Sequence, residues 1–295
     1  MCWPWLGKPR TSSLLEGALA EIAAIDVIAR MVTTAMRYSA RPLFVLGLCG
    51  AQGSGKTTLA SALARHFEAE GTRTAILSID DLYRTHAERE RLGKTVHPLL
   101  RTRGVPGTHD VDLGLAVLAA LDKGVATWLP RFDKARDDRC PRSDWGQAKA
   151  GTRLLIFEGW CVGARPEPEA ALAEPVNALE RDEDRDGRWR RFVHAALAGD
   201  YQRLFARIDG LVLLAAPDFA IVRDWRIEQE RDLRAQAPPG SPGLMDDAAV
   251  ARFVQHYERL TRHMLNEMPA RADLVVDIAE DRSPIAIRGR GAALA

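Results

Sequence analysis

The chain alternates between two kinds of hydrophobic spacing. Short, largely apolar runs recur at 43–48, 74–79, 154–157, 211–215 and 274–278, each bounded by polar or glycine-rich sequence. Runs this short and this continuous suit strands covered on both faces. Between them, apolar residues fall three or four positions apart, the spacing of one helix face. Leu59, Leu63 and Phe67 make such a stripe, stopped by Gly71. Phe253, Tyr257, Leu260 and Met264 make another, with Asp246 or Asp247 as its N-cap. Leu14, Leu19, Ile22, Ile25, Ile28 and Met31 predict a helix over 13–37. Further helices are expected over 111–121, capped by Asp110, and over the amphipathic stretch 189–208. By contrast, 84–103 reads as charged and irregular, and 125–129 as a possible short strand.

Strands alternating with helices predict an α/β fold with a doubly wound, mainly parallel five-stranded sheet. The expected organisation is an N-terminal tail and helix over 1–40, then one domain over 41–287. That domain carries an insertion at 159–190, with a solvated acidic–basic run, and a lid region at 217–243. Residues 288–295 are expected to form a disordered tail.

One strand–turn–helix unit carries unmistakable chemistry. In GAQGSGKTT, Gly50, Gly55, Lys56 and Thr57 satisfy G-x-x-x-x-G-K-[ST], the phosphate-binding loop. Glycines let backbone amides of Gly50, Ala51, Gln52, Gly53, Ser54, Gly55, Lys56, Thr57 and Thr58 turn toward phosphate oxygens. Lys56 is then placed to reach the β- and γ-phosphates, and the Thr57 hydroxyl to ligate Mg²⁺. The run 74–79 delivers Asp80 and Asp81 where ligands of parallel sheets sit. Asp80 could accept a proton from an attacking hydroxyl or join the metal shell, and either aspartate could simply cap a short helix. Glu158 ends the run at 154–157, the Walker B position that orders Mg²⁺.

Two basic stretches suggest how an anionic reactant is held. The segment PRFDKARDDRCPRSDW places Arg131, Lys134 and Arg139 after a strand end, residue types suited to a carboxylate. In the helix after Pro217-Asp218, Arg223, Arg226, Arg231 and Arg234 fall within an arc of about 140°, with Ile221, Val222 and Trp225 opposite. Such a face suits a lid closing on transferring phosphate, with Pro238 to Gly243 as its loop.

Composition narrows the field. Lys and Arg number 41 against 40 Asp and Glu, a net charge of +1, so neither nucleic acid nor an anionic membrane is called for. Cys2, Cys49, Cys140 and Cys161 show no C-x-x-C spacing, which fits free thiols in a reducing compartment. With no apolar run near membrane length and no leader pattern, a cytoplasmic protein is expected. The guanine-reading N-K-x-D and the transporter L-S-G-G-Q motifs are absent.

Taken in order, GAQGSGKTT, SIDDLY, GTHD, PRFDK, FEGWCVG, VRDWRIEQE and MDDAAVARFVQHYERLT resemble plant-type D-glycerate 3-kinase. That family sits within the phosphoribulokinase, uridine kinase and pantothenate kinase group. The resemblance implies a P-loop kinase that uses ATP and Mg²⁺ and phosphorylates D-glycerate. It implies Asp80 as the base, Thr57 and Glu158 at the metal, and Arg223 and Arg226 in the lid. It also makes Asp81, Tyr83, His109, Asp110, Arg131, Lys134 and Arg139 candidate substrate contacts. From spacing alone, a surface or core histidine is the better reading of His109. Other readings are a nucleoside or pantothenate-type kinase, and an ATP-hydrolysing regulatory protein without a small acceptor. The oligomeric state has no signature in the chain.

Overall fold

Residues 11–236 and 245–290 are described in the computed structural model of the chain. They begin with α1 (Thr11–Tyr38), β1 (Phe44–Gly50), α2 (Lys56–Ala69), β2 (Thr74–Ser78), α3 (His86–Thr95) and α4 (Val111–Asp122). Four short strands follow: β3 (Thr127–Leu129), β4 (Phe132–Asp133), β5 (Asp138–Arg139) and β6 (Gly146–Ala148). Then come β7 (Leu154–Gly159), α5 (Ala178–Glu183), α6 (Arg188–Ala196), α7 (Gln202–Phe205) and β8 (Gly210–Ala215). The chain closes with α8 (Phe219–Gln236), α9 (Asp247–Glu267), β9 (Leu274–Ile278) and β10 (Pro284–Gly289).

The central sheet has the order β10-β9-β8-β1-β7-β2. All pairings are parallel except β10 with β9. Every residue of β1, β7 and β8 is buried, which is why these strands read as unbroken apolar runs. Strand alternation splits the core in two. Val45, Leu77, Leu155, Phe157, Leu213 and Val275 face one layer, covered by Leu118 and Leu121 of α4 and Tyr257 and Met264 of α9. Leu46, Leu48, Leu154, Ile156, Val212 and Val276 face the other, under Ile28, Leu63, Phe67, Val222 and Trp225. The sheet is therefore doubly wound.

The sheet has six strands rather than the expected five. The sixth, β10, takes up Arg288 and Gly289, which had been assigned to a disordered tail. As an edge strand beginning at a proline, with no residue fully buried, it carries no apolar run to announce it. The helix expected over 13–37 is α1, in which Ile22 is 55% exposed while Ala24, Ile28, Ala29 and Val32 are buried. The stretch 84–103 is not irregular. It holds α3, started by a reciprocal capping box between Thr85 and Glu88. Instead of one helix over 189–208, α6 and α7 are joined through a wide turn at 197–201 in which Gly199 leaves helical geometry. The charged run at 180–188 is also not simply solvated. Glu180 and Asp184 are each 1% exposed, and they pair with Arg259 and Arg190. Both terminal stretches, 1–10 and 291–295, and the expected lid loop at Pro238 to Gly243 lie outside the described residues.

Candidate active site

The phosphate loop forms because β1 ends at Gly50 and α2 begins at Lys56 with little chain between. Gly53 and Gly55 take left-handed φ of 79° and 85°. At Gly53 glycine is required twice over, since a Cβ there would lie 2.7 Å from Trp225 Cβ. Helix α8 thus packs directly on the loop. Gln52 Oε1 and Ser54 Oγ are buried in the loop without partners.

Glu158 sits near the end of β7, in register with Leu48 of β1 and Ser78 of β2. Thr57 Oγ1 lies 3.5 Å from Glu158 Oε1, at the outer limit of a hydrogen bond. Glu158 Oε2 is buried with no partner at all. Burial pushes the carboxyl above its usual range, while the Lys56 charge opposes the shift. Among the described residues no cluster of three or more His, Cys, Asp or Glu could hold a metal. One hydroxyl and one under-used carboxylate fit Mg²⁺, which is usually held by one or two carboxylates together with phosphates and water.

Beyond β2 the chain makes a single helical turn, Ile79–Leu82, whose N-cap Ser78 accepts from the Asp80 amide at 3.3 Å. Ile79 and Leu82 are fully buried, leaving the two aspartates between them free for polar partners. These aspartates have different surroundings. Asp80 Oδ1 accepts from the Tyr83 hydroxyl at 2.8 Å, and Oδ2 accepts from Lys134 Nζ at 2.6 Å. Burial opposes its charge, but the Lys134 and Lys56 ammonium groups outweigh that and hold its pKa well below the usual carboxylate range. Asp81 instead accepts from the Phe132 amide at 3.0 Å and pairs with Arg131 at 3.4 Å, so it anchors the β4–β5 hairpin. Burial raises its pKa.

The GTHD segment is stitched to this turn by backbone bonds. Arg84 N donates to Thr108 O at 2.9 Å, Asp110 N donates to Leu82 O at 2.7 Å, and Tyr83 bridges His109. The Tyr83 and His109 rings stack at 4.5 Å. His109 is 1% exposed, its Nδ1 lies 2.5 Å from the Tyr201 hydroxyl, and burial pushes its pKa down to about 3. Asp110 caps α4 through Leu113 N and accepts from Arg139 Nη2 at 3.1 Å. Arg139 Nη2 also donates to Tyr83 O. The structure therefore gathers all seven candidate acceptor residues around Asp80.

The lid arginines are arranged differently from expectation. Val222 and Trp225 are buried as expected. Arg223 pairs with its neighbour Asp224. Arg226 pairs with the buried Glu230 at 2.8 Å and lies over the Phe253 ring. Arg231 pairs with Asp247 on α9. Among the described residues, no hydrogen bond or ion pair joins Arg223 or Arg226 to the phosphate loop. A second cation at the loop, beside Lys56, is Arg282, which sequence reading passed over. Arg282 Nε donates to Gly53 O at 2.7 Å, its guanidinium lies 5.4 Å from the Trp225 ring centre, and it pairs with Glu228 of α8. Nothing in the AEDRS stretch around it singles it out, because its contacts come from two distant segments, the phosphate loop and α8. Arg89 was also missed, although it is 1% exposed and pairs with Asp137 to hold the hairpin. The Thr85-x-x-Glu88 capping signal beside it was the available clue.

A family model described as methylmalonyl Co-A mutase-associated GTPase MeaB matches residues 13–86, which include the phosphate loop and Asp80 but not Glu158. Over 248 residues the chain is 38% identical to an uncharacterized kinase of Schizosaccharomyces pombe, covering 79% of this chain and 84% of that one. It is 31% identical over 261 residues to the chloroplastic D-glycerate 3-kinase of Arabidopsis thaliana, covering 83% of this chain. That match spans only 54% of the plant protein's own length. Among solved structures, a D-glycerate 3-kinase from Cryptococcus neoformans superposes with a TM-score of 0.74 at 25% identity, covering 90% of this chain and 99% of that one. No helix among the described residues is long and apolar enough to cross a membrane.

Proposed function

The chain belongs to the plant-type D-glycerate 3-kinase family of P-loop kinases, and from this premise we propose that it phosphorylates D-glycerate at the 3-hydroxyl. The observation that carries the reading is the pairing of Asp80 with Lys134 at 2.6 Å beside a basic hairpin and the phosphate loop. A nucleoside acceptor is flat and neutral and would want aromatic stacking. Arg131, Lys134 and Arg139 instead suit a small carboxylate.

In this reading the loop amides and Lys56 hold the ATP phosphates, and Thr57 and Glu158 would hold Mg²⁺. The metal would neutralise charge on the β- and γ-phosphate oxygens. Lys134 turns from Asp80 to the glycerate carboxylate, as its exposed position on the hairpin allows. Losing that ammonium removes the larger of the two charges that hold Asp80 below the usual range, so its proton affinity rises as the acceptor arrives. The 3-hydroxyl oxygen then bonds to the γ-phosphorus, the bond to the bridging oxygen of ADP breaks, and the hydroxyl proton passes to Asp80. A carboxylate fixed at one end of a three-carbon acid leaves the terminal hydroxyl nearest the phosphate.

The test is to incubate the protein with Mg·ATP and D-glycerate and identify the product by phosphorus NMR. A 3-phosphoglycerate signal is expected. A 2-phospho product would overturn the regiochemistry, faster turnover of uridine or pantothenate would overturn the acceptor, and acceptor-independent ATP hydrolysis alone would favour a regulatory ATPase.

A further inference from the structure

Tyr201 lies in the wide turn between α6 and α7, over ninety residues from His109 in sequence, yet its hydroxyl meets three nitrogens of the acceptor segment. Gly107 N donates to it at 3.0 Å and His109 N at 3.3 Å. The third is His109 Nδ1 at 2.5 Å. Two backbone amides can only donate, so they use the lone pairs of the phenol oxygen. The phenol proton then has one acceptor left, which is Nδ1. Were Nδ1 itself protonated, three donors would converge on one oxygen and the phenol proton would have no acceptor. His109 must therefore carry its proton on Nε2.

That Nε2 is buried and has no partner. Buried donors are rarely left unpaired, and those that are call for a reason. Tyr83 covers the His109 ring by stacking and gives its own hydroxyl to Asp80. The unpaired donor thus lies one stacked ring away from the tyrosine that contacts Asp80. Burial supports a neutral ring, and it also raises the Tyr201 phenol so that it keeps its proton.

We propose that Tyr201 is a positioning residue that fixes the Nε2–H tautomer of His109, so that His109 offers a neutral hydrogen-bond donor to an oxygen of the acceptor. The proposal rests on the acceptor-site reading above but not on which acceptor is used. A neutral donor discriminates by geometry: a hydroxyl or carboxylate oxygen satisfies it, whereas an apolar group of similar shape leaves it stranded.

The test has two independent arms. In ¹⁵N-labelled full-length protein without ligands, two-bond ¹H–¹⁵N correlation reads the His109 tautomer directly. The Nε2–H pattern is expected, and an Nδ1–H pattern overturns the proposal. In Tyr201→Phe the single tautomer should give way to a mixture. KM for D-glycerate should rise about tenfold, the size of one neutral hydrogen bond, with KM for ATP unchanged. Equal rises in both constants would mean a merely structural role. Should that variant not fold, a second pair decides. His109→Gln keeps an N–H near the Nε2 position and should retain at least about tenfold more activity than His109→Asn, which does not. Equal activity of the two overturns the proposal. The tautomer spectrum needs no acceptor, so failure of D-glycerate turnover with an Nε2–H spectrum sinks the substrate reading alone.

Discussion

At the scale of single residues, adjacent aspartates in one helical turn have separated into a chemical and a mechanical role. Asp80 faces Lys134 and Tyr83, whereas Asp81 fastens the hairpin through Phe132 N and Arg131. Asp80→Asn should lower kcat by about 10²- to 10⁴-fold, the usual contribution of a positioned base, with ATP affinity nearly unchanged. Asp81→Asn keeps one acceptor oxygen for Phe132 N, so it should raise KM for the acceptor more than it lowers kcat. Steady-state kinetics over both substrates separates the two, and a larger kcat loss in Asp81→Asn would exchange the roles. The pair was visible in the sequence as two carboxylates after a strand. Which of them points at Lys134 was not, because fifty-odd residues and a hairpin separate the partners.

At the scale of elements, legibility followed burial and locality. β1, β7 and β8 were readable because complete burial makes them continuous apolar runs, and the phosphate loop because its function dictates glycine spacing. β10 escaped because an edge strand needs no apolar pattern. Helix α8 was half readable. Val222 and Trp225 are buried as read, but Arg223, Arg226 and Arg231 pair with Asp224, Glu230 and Asp247, while Arg282 comes from the β9–β10 turn. Long-range partners leave no local signature. Arg282 holds the Gly53 carbonyl and Glu228 together, so Arg282→Ala should weaken ATP binding several-fold, read by ATP titration without acceptor. Arg226→Ala leaves the phosphate loop untouched and breaks a pair with buried Glu230. It should act first on stability, by about 1–3 kcal/mol in urea unfolding for the stranded carboxylate. A kcat loss in Arg226→Ala with stability intact would return that arginine to the transition state.

At the scale of the whole molecule, five candidate groups lie at or past the carboxyl end of a central-sheet strand: the phosphate loop after β1, Asp80 after β2, Glu158 near the end of β7, α8 after β8 and Arg282 after β9. On α9 a buried histidine makes stability depend on pH. His256 is 4% exposed, packed edge-on against Trp189, with Nδ1 3.0 Å from Phe253 O and Nε2 unpartnered. Burial pushes its pKa down to about 4, with Arg252 adding to the shift and Glu183 opposing it. His109 is pushed down to about 3 by the same cause. Both rings stay neutral in the folded chain at pH 5, while an unfolded histidine gains a proton below about 6.5. The unfolded state then binds more protons, so stability falls as pH drops from about 6.5 toward the folded values. At pH 5 the cost is about 2 kcal/mol for each ring. Glu158, raised by burial, works in the opposite direction as it takes up its proton. His256→Gln keeps a side-chain amide but cannot titrate. The difference in unfolding free energy between pH 7 and pH 5, measured in urea, should therefore shrink by about 2 kcal/mol in that variant. An unchanged difference would mean that His256 is already protonated in the folded state, and that the helix layer rather than the ring absorbs the charge.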